Sequence, residues 1–125
     1  MAVILLVEDN ENQLLLYEDE LKSEGYEVIT ARDGREALQV VEGIRPDLVV
    51  MDISMPGMDG IEAMSRMLAR DHKLPVILNT AYATYKDNFR AWSADAYVVK
   101  TSDLTELKET VRRVLASRQE DDAGA

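Results

Sequence analysis

The chain has 125 residues, 46% of them hydrophobic, and sets 24 aspartates and glutamates against 14 lysines and arginines for a formal charge of -10. That length supports one domain with a real core, and the hydrophobic share excludes a disordered acidic tail. The negative field repels phosphate backbones and anionic membrane surfaces, which argues against direct nucleic-acid binding, and the absence of cysteine excludes disulfides and thiolate metal sites.

The opening "MAVILLVEDN" has no basic start, its apolar run is too short for a signal peptide, and no stretch is long enough to span a bilayer. A soluble cytoplasmic domain is the expectation. The first apolar run, 2–7, reads as a strand. Asn10 and Gln13 then have the spacing of an N-cap and its N3 partner, opening a helix that buries Leu14, Tyr17 and Leu21 and stops at Gly25. A second strand covers 26–31, and Asp33 with Glu36 starts a helix that uses Leu38 and Val41 and stops near Gly43. The third strand, 47–51, leads into "DISMPGMDG", after which Asp59 and Glu62 start a helix packed through Ile61, Met64 and Leu68. A fourth strand covers 75–80. The helix predicted at 84–93 is weak, with Tyr85, Phe89 and Trp92 in place of an aliphatic stripe. A fifth strand covers 96–99, and a last helix from Ser102 or Asp103 buries Leu104, Leu107, Val111 and Val114. Residues 1–118 then form the domain, and 119–125 a polar tail expected to fray.

Short Val- and Ile-rich strands, three of them nearly unbroken apolar, indicate a parallel sheet covered on both faces. Five βα units with right-handed crossovers make a doubly wound, three-layer α/β fold, in which ligands sit beyond the carboxyl ends of the strands. Those ends carry Glu8 and Asp9, then Asp52, then Thr80, then Lys100. Taken singly, each has an ordinary explanation. Acids after a strand favour the positive end of the next helix, and Asp52 or Lys100 alone would be a solvated loop charge. Their joint occurrence is what points to a site. Three carboxylates with one counter-charge repel one another unless a cation joins them or a proton is taken up, and hard oxygen ligands suit Mg²⁺.

In this order and spacing, the acid pair, "DLVVMDISMPGMDG", "TAY" and "DAYVVK" resemble the receiver domain of two-component response regulators over essentially the whole chain. The resemblance implies a CheY-like, flavodoxin-like strand order of 2-1-3-4-5. It also implies that Asp52 accepts a phosphoryl group from a histidine kinase or histidine phosphotransfer protein. Asp9 and Asp52 would ligate Mg²⁺ directly, with Glu8 acting through water and Ser54 through its carbonyl. Thr80 and Lys100 would bind the phosphoryl group, with Thr80 and Tyr97 forming the switch that alters a surface for a downstream protein or a second copy. An aspartate, with an ordinary pKa of about 3.9, is an ionised nucleophile without a general base. Such a domain would catalyse only its own phosphorylation and slow dephosphorylation.

Two positions depart from the family pattern. Thr101 follows Lys100 where the family usually has a cis proline; the intrinsic cost of a non-proline cis bond, roughly 3–4 kcal/mol, predicts trans here. Trp92 and Ser93 stand where the family commonly has a small residue and glycine. His72, the single histidine, reads as a solvated loop residue. The competing readings are a pseudo-receiver that binds partners without phosphorylation and a haloacid-dehalogenase-like phosphatase. The first should lack an acid, hydroxyl or lysine, and none is missing; the second needs D-x-D after its first strand, where this chain has "VEDN".

Overall fold

A computed structural model describes residues 1–81 and 93–124, with side chains as far as residue 118. All five expected strands form: β1 (Val3–Val7), β2 (Glu27–Ala31), β3 (Leu48–Met51), β4 (Val76–Thr80) and β5 (Ala96–Val99). The first four begin one residue later than the apolar runs suggest. At β4 the reason is chemical, since Pro75 has no N–H to give a ladder and contributes only its carbonyl, which accepts from Val49 N–H at 2.9 Å.

Four helices lie among the described residues: α1 (Glu11–Ser23), α2 (Gly34–Gly43), α3 (Gly60–Arg70) and α4 (Thr105–Gly124). The helix predicted over 84–93, with Tyr85, Phe89 and Trp92, falls outside the described residues. The three expected N-caps all form. Asn10 accepts from Gln13 N–H at 3.1 Å, Asp33 from Glu36 N–H at 2.8 Å, and Asp59 from Glu62 N–H at 2.8 Å. Helix α4 starts later than the sequence suggests. Asp103 Oδ1 takes both the amide and the hydroxyl of Thr105, at 2.9 and 2.6 Å, so residues 102–104 serve as the entry turn. At its other end α4 takes in the polar residues 119–124 that were expected to fray.

The strands form one parallel sheet in the order β2-β1-β3-β4-β5. Side chains alternate between its faces, and each face buries its own core. Leu5, Val7, Val49, Met51, Val76 and Leu78 pack with Ala37 of α2 and Ile61, Met64 and Met67 of α3. On the other face Ile4, Leu6, Leu48, Val50 and Ile77 pack with Leu14, Tyr17 and Leu21 of α1 and Leu107, Val111 and Val114 of α4. Leu38, Val41 and Leu68, expected in the core, are only half-buried. Small residues take the closest approach instead: a Cβ on Gly34 would lie 3.0 Å from the Met58 carbonyl oxygen.

A polar clasp ties the C-terminal helix to the sheet. Asp95 accepts from Val76 N–H at 2.9 Å through one carboxylate oxygen and from Arg118 at 2.7 Å through the other. His72 is exposed, as expected of a loop residue. The Lys100–Thr101 peptide is trans, also as expected. Among the described residues, no helix is long and apolar enough to cross a membrane.

Candidate functional site

Backbone ladders run one residue past the strands and thereby place two acids. Glu8 N–H donates to the Ala31 carbonyl at 3.0 Å, and Asp52 N–H donates to the Val7 carbonyl at 3.1 Å. Both side chains leave from rigid sheet positions, and both are buried, Glu8 at 1% and Asp52 at 7% exposure. Asp9, next along the chain, is exposed, and its amide donates to Glu8 Oε2 at 3.1 Å. Carboxylate oxygens of Glu8, Asp9 and Asp52 lie within 4.8 Å of one another.

The counter-charge comes from the far side of the sheet. Lys100 N–H donates to the Thr80 carbonyl at 2.7 Å, which fixes the residue beyond the end of β5. Its ammonium then reaches inward and donates to Glu8 Oε1, to Asp52 Oδ2 at 3.1 Å and to Gln13 Oε1 at 2.6 Å. The Tyr17 ring lies beside it, with its centroid 6.0 Å from Nζ.

Electrostatics follow from this crowding. Burial pushes the Glu8 carboxyl up to about 7; the Asp52 charge reinforces the rise and the Lys100 hydrogen bond opposes it. Burial works against the Lys100 charge, but the Glu8 hydrogen bond and the Asp52 and Glu8 charges outweigh it, so this lysine holds its proton more firmly than usual. Three carboxylates facing one ammonium leave an excess of negative charge among close oxygen donors. That donor set fits a hard divalent cation of the Mg²⁺ type, with Glu8, Asp9 and Asp52 as the residues able to hold it.

The loop after Asp52 must pass very close to it. Gly57 has a φ of +76°, where a side chain would be strained. Gly60 N–H donates to the Ile53 carbonyl at 2.9 Å, and a Cβ on Gly60 would lie 2.1 Å from the Asp52 carbonyl oxygen. Only glycine lets α3 start there. The helix therefore begins directly under the strand end that carries the acid.

Of the residues expected at the site, Glu8, Asp9, Asp52 and Lys100 are brought together by direct contacts. Ser54 lies beside them, its amide donating to Asp52 Oδ1 at 3.3 Å. Thr80 is fully buried at the end of β4, joined to Lys100 through its carbonyl. Tyr97 is half-buried in β5, in register with Leu78, and packs on the face covered by α2 and α3.

Three neighbours of Lys100 are not legible as site residues in the sequence. Gln13 reads there as a capping partner and Tyr17 as core, while Asn79 sits inside an apolar strand. Asn79 is 4% exposed and Tyr17 also 4%, and the two side chains line one gap with Lys100. The available signal is Asn79 itself, a polar residue in an otherwise aliphatic buried run, which demands a partner.

Comparison with known proteins agrees with this geometry. The response regulator receiver domain family matches residues 4–112. The regulatory protein AtoC of Escherichia coli K12 is 41% identical over 90% of this chain, which spans 25% of AtoC's length. Sporulation initiation phosphotransferase F of Bacillus subtilis is 35% identical over 90% of this chain and 92% of its own. Response regulator TrrA of Thermotoga maritima, solved in complex with Mg²⁺-BeF, is 41% identical with a TM-score of 0.89, covering 91% of this chain and 99% of that one. TrrA solved in complex with the histidine kinase ThkA matches with a TM-score of 0.87 at 42% identity, over 92% and 99% of the two chains. With its five-stranded sheet in the order 2-1-3-4-5 and its acids and lysine at one edge, this chain belongs to the response regulator receiver domain family.

Proposed function

We propose that the chain is a phosphoacceptor switch, in which Asp52 takes a phosphoryl group from a histidine kinase or histidine phosphotransfer protein. The observation that carries this reading is the Asp52 carboxylate, held at a rigid strand end between two further carboxylates and the Lys100 ammonium 3.1 Å away. An Asp52 oxygen bonds to phosphorus, and the donor's bond to phosphorus breaks. The donor leaves with the electron pair: acetate from acetyl phosphate, or a neutral imidazole from a phosphohistidine that already carries a proton on its other ring nitrogen. Lys100 offers N–H groups to the phosphoryl oxygens as charge moves onto them, and Thr80 stands at the neighbouring strand end to donate its hydroxyl. Bound Mg²⁺ would neutralise charge on the phosphoryl oxygens and bring them to the carboxylates. Asp9 and Asp52 are its direct ligands in this reading, with Glu8 acting through water and the Ser54 carbonyl completing the set.

The complexes of TrrA with Mg²⁺-BeF and with a histidine kinase support the metal and the kinase as partners by analogy. The family fixes a signalling domain; the narrower reading is that its chemistry ends with its own phosphorylation and slow dephosphorylation. Residues 1–118 form the receiver in this reading, and 119–125 are an appendage. Phosphorylation draws Thr80 toward the phosphoryl group, and Tyr97 turns inward. The altered surface meets a downstream protein or a second copy of the chain, without nucleic acid or membrane contact, in the cytoplasm. Incubation with acetyl phosphate and Mg²⁺ tests this reading. One phosphoryl group mapped to an Asp52 peptide, and absent when Mg²⁺ is chelated before the donor is added, is the expected result; label that forms without Mg²⁺ or maps elsewhere overturns it.

A further inference from the structure

The Lys100 ammonium has three N–H bonds, and each has an acceptor: Glu8, Asp52 Oδ2 at 3.1 Å and Gln13 Oε1 at 2.6 Å. With the Lys100 side chain only 10% exposed, water has little access to that head group. Two of the acceptors belong to the carboxylate cluster. Their hold on Lys100 changes when a cation joins the cluster and again when Asp52 becomes an acyl phosphate. Gln13 is neutral and outside the cluster, so neither event alters its acceptor. Its place is set by α1, where Asn10 Oδ1 accepts its amide at 3.1 Å.

One turn further along α1, Tyr17 backs the same ammonium, its ring centroid 6.0 Å from Nζ. Tyr17 and the neighbouring Asn79 are both almost wholly buried. Together with Lys100 they line a gap with no room for a water molecule, so the wall behind the lysine is closed.

We infer that Gln13 is a positioning residue: its amide oxygen keeps the Lys100 ammonium on the α1 side of the site while Asp52 changes from carboxylate to acyl phosphate, with Tyr17 and Asn79 closing the space behind it. The inference rests on the phosphoacceptor reading above. Without Gln13 the third N–H is left buried and unpaired, a state that costs more than the bond itself contributes. The ammonium then swings toward Glu8, away from the oxygens that an incoming phosphoryl group presents.

Gln13→Met keeps length and volume but removes the acceptor. Three measurements are compared with wild type: labelling rate from acetyl phosphate at saturating Mg²⁺, the Mg²⁺ Kd by calorimetry, and exchange of the Lys100 ammonium protons by NMR in Mg²⁺-free protein. The expected result is labelling slowed roughly ten-fold, the loss of one bond to a charged group, with unchanged Mg²⁺ Kd and faster ammonium exchange. Gln13→Glu, which retains an accepting oxygen, restores slow exchange. Wild-type labelling and exchange in Gln13→Met overturn the inference. So does a loss of labelling matched by weaker Mg²⁺ binding and a lower melting temperature, which marks a merely structural residue. Wild-type protein that takes no label overturns the phosphoacceptor reading instead, while ammonium exchange still decides whether Gln13 holds Lys100.

Discussion

Lys100 Nζ lies 3.1 Å from Asp52 Oδ2 although their strands, β5 and β3, are separated by β4. The lysine crosses over the end of β4, to which its own amide is tied through the Thr80 carbonyl. Its charge is therefore the counterweight to two buried acids on strands it does not adjoin. Removing one member of a buried ionic group leaves the others uncompensated. Lys100→Met should cost about 3 kcal/mol in Mg²⁺-free buffer near about pH 8, and added Mg²⁺ should stabilise the variant more than it stabilises wild type. Urea titrations with and without Mg²⁺ check this; a variant as stable as wild type without Mg²⁺ would show that the lysine does not balance the acids.

Glu8 makes stability depend on pH in a defined direction. Its carboxyl is raised by burial from 4.5 to about 7, so the folded protein keeps a proton that the unfolded chain has released. The resulting stabilisation is fully present below 4.5 and is lost as pH rises through about 7. At about 1.4 kcal/mol per unit, the change amounts to roughly 3 kcal/mol. Asp71 is depressed in spite of its burial, by its bonds to Arg45 and Lys73, and its contribution is already complete above the ordinary carboxylate range. Between these limits wild-type protein should lose melting temperature as pH rises, in Mg²⁺-free buffer, while Glu8→Gln stays nearly flat. Parallel curves for the two proteins would remove Glu8 as the titrating group.

Gly60 makes a steric prediction. A methyl group there would sit 2.1 Å from the Asp52 carbonyl oxygen, an approach that cannot be relieved without moving β3 or the start of α3. Gly60→Ala should destabilise the fold by about 3 kcal/mol, at the upper end for overpacking, and slow phosphoryl transfer by displacing Asp52. A methyl group on Gly43 would meet nothing within 4 Å, so Gly43→Ala should leave both unchanged. Chemical denaturation of the pair measures the difference, and equal stabilities would contradict the close approach.

Tyr97 should separate phosphorylation from its readout. It sits half-buried beside Leu78 of β4, packed against the core under α2 and α3 rather than within the carboxylate cluster. Tyr97→Ala should label on Asp52 at nearly the wild-type rate while losing the phosphorylation-dependent change in amide exchange across residues 93–105. Retention of that change in the variant would show that the signal leaves the site by another route.

Much of the site is legible in the sequence because its parts follow from local chemistry. The acids and the lysine stand at the ends of apolar runs, and a parallel sheet brings such ends to one edge whatever their separation in sequence. Asn10, Asp33 and Asp59 cap helices as their spacing requires, because a cap is a contact between residues three apart. What stays hidden depends on long-range packing. Nothing in the spacing of Asn10 and Gln13 says that the Gln13 side chain turns from the cap to a lysine 87 residues away. Nor does a helical stripe reveal that Tyr17 faces Asn79 and Lys100 as well as aliphatic core. The start of α4 differs for a related reason: Asp103, which reads as a first helical residue, accepts both the amide and the hydroxyl of Thr105 at its side chain and so ends the entry turn.

The central claim is that Asp52 is the nucleophile, and one comparison tests it most directly. Wild type and Asp52→Asn are incubated with acetyl phosphate and Mg²⁺, and the intact proteins are weighed by mass spectrometry. The substitution keeps the side chain's size and leaves Glu8, Asp9 and Lys100 in place, so the fold and most of the charge balance survive. Wild type should gain a single phosphoryl group, and Asp52→Asn should gain none. Equal labelling of the two proteins would contradict the assignment and place the nucleophile elsewhere.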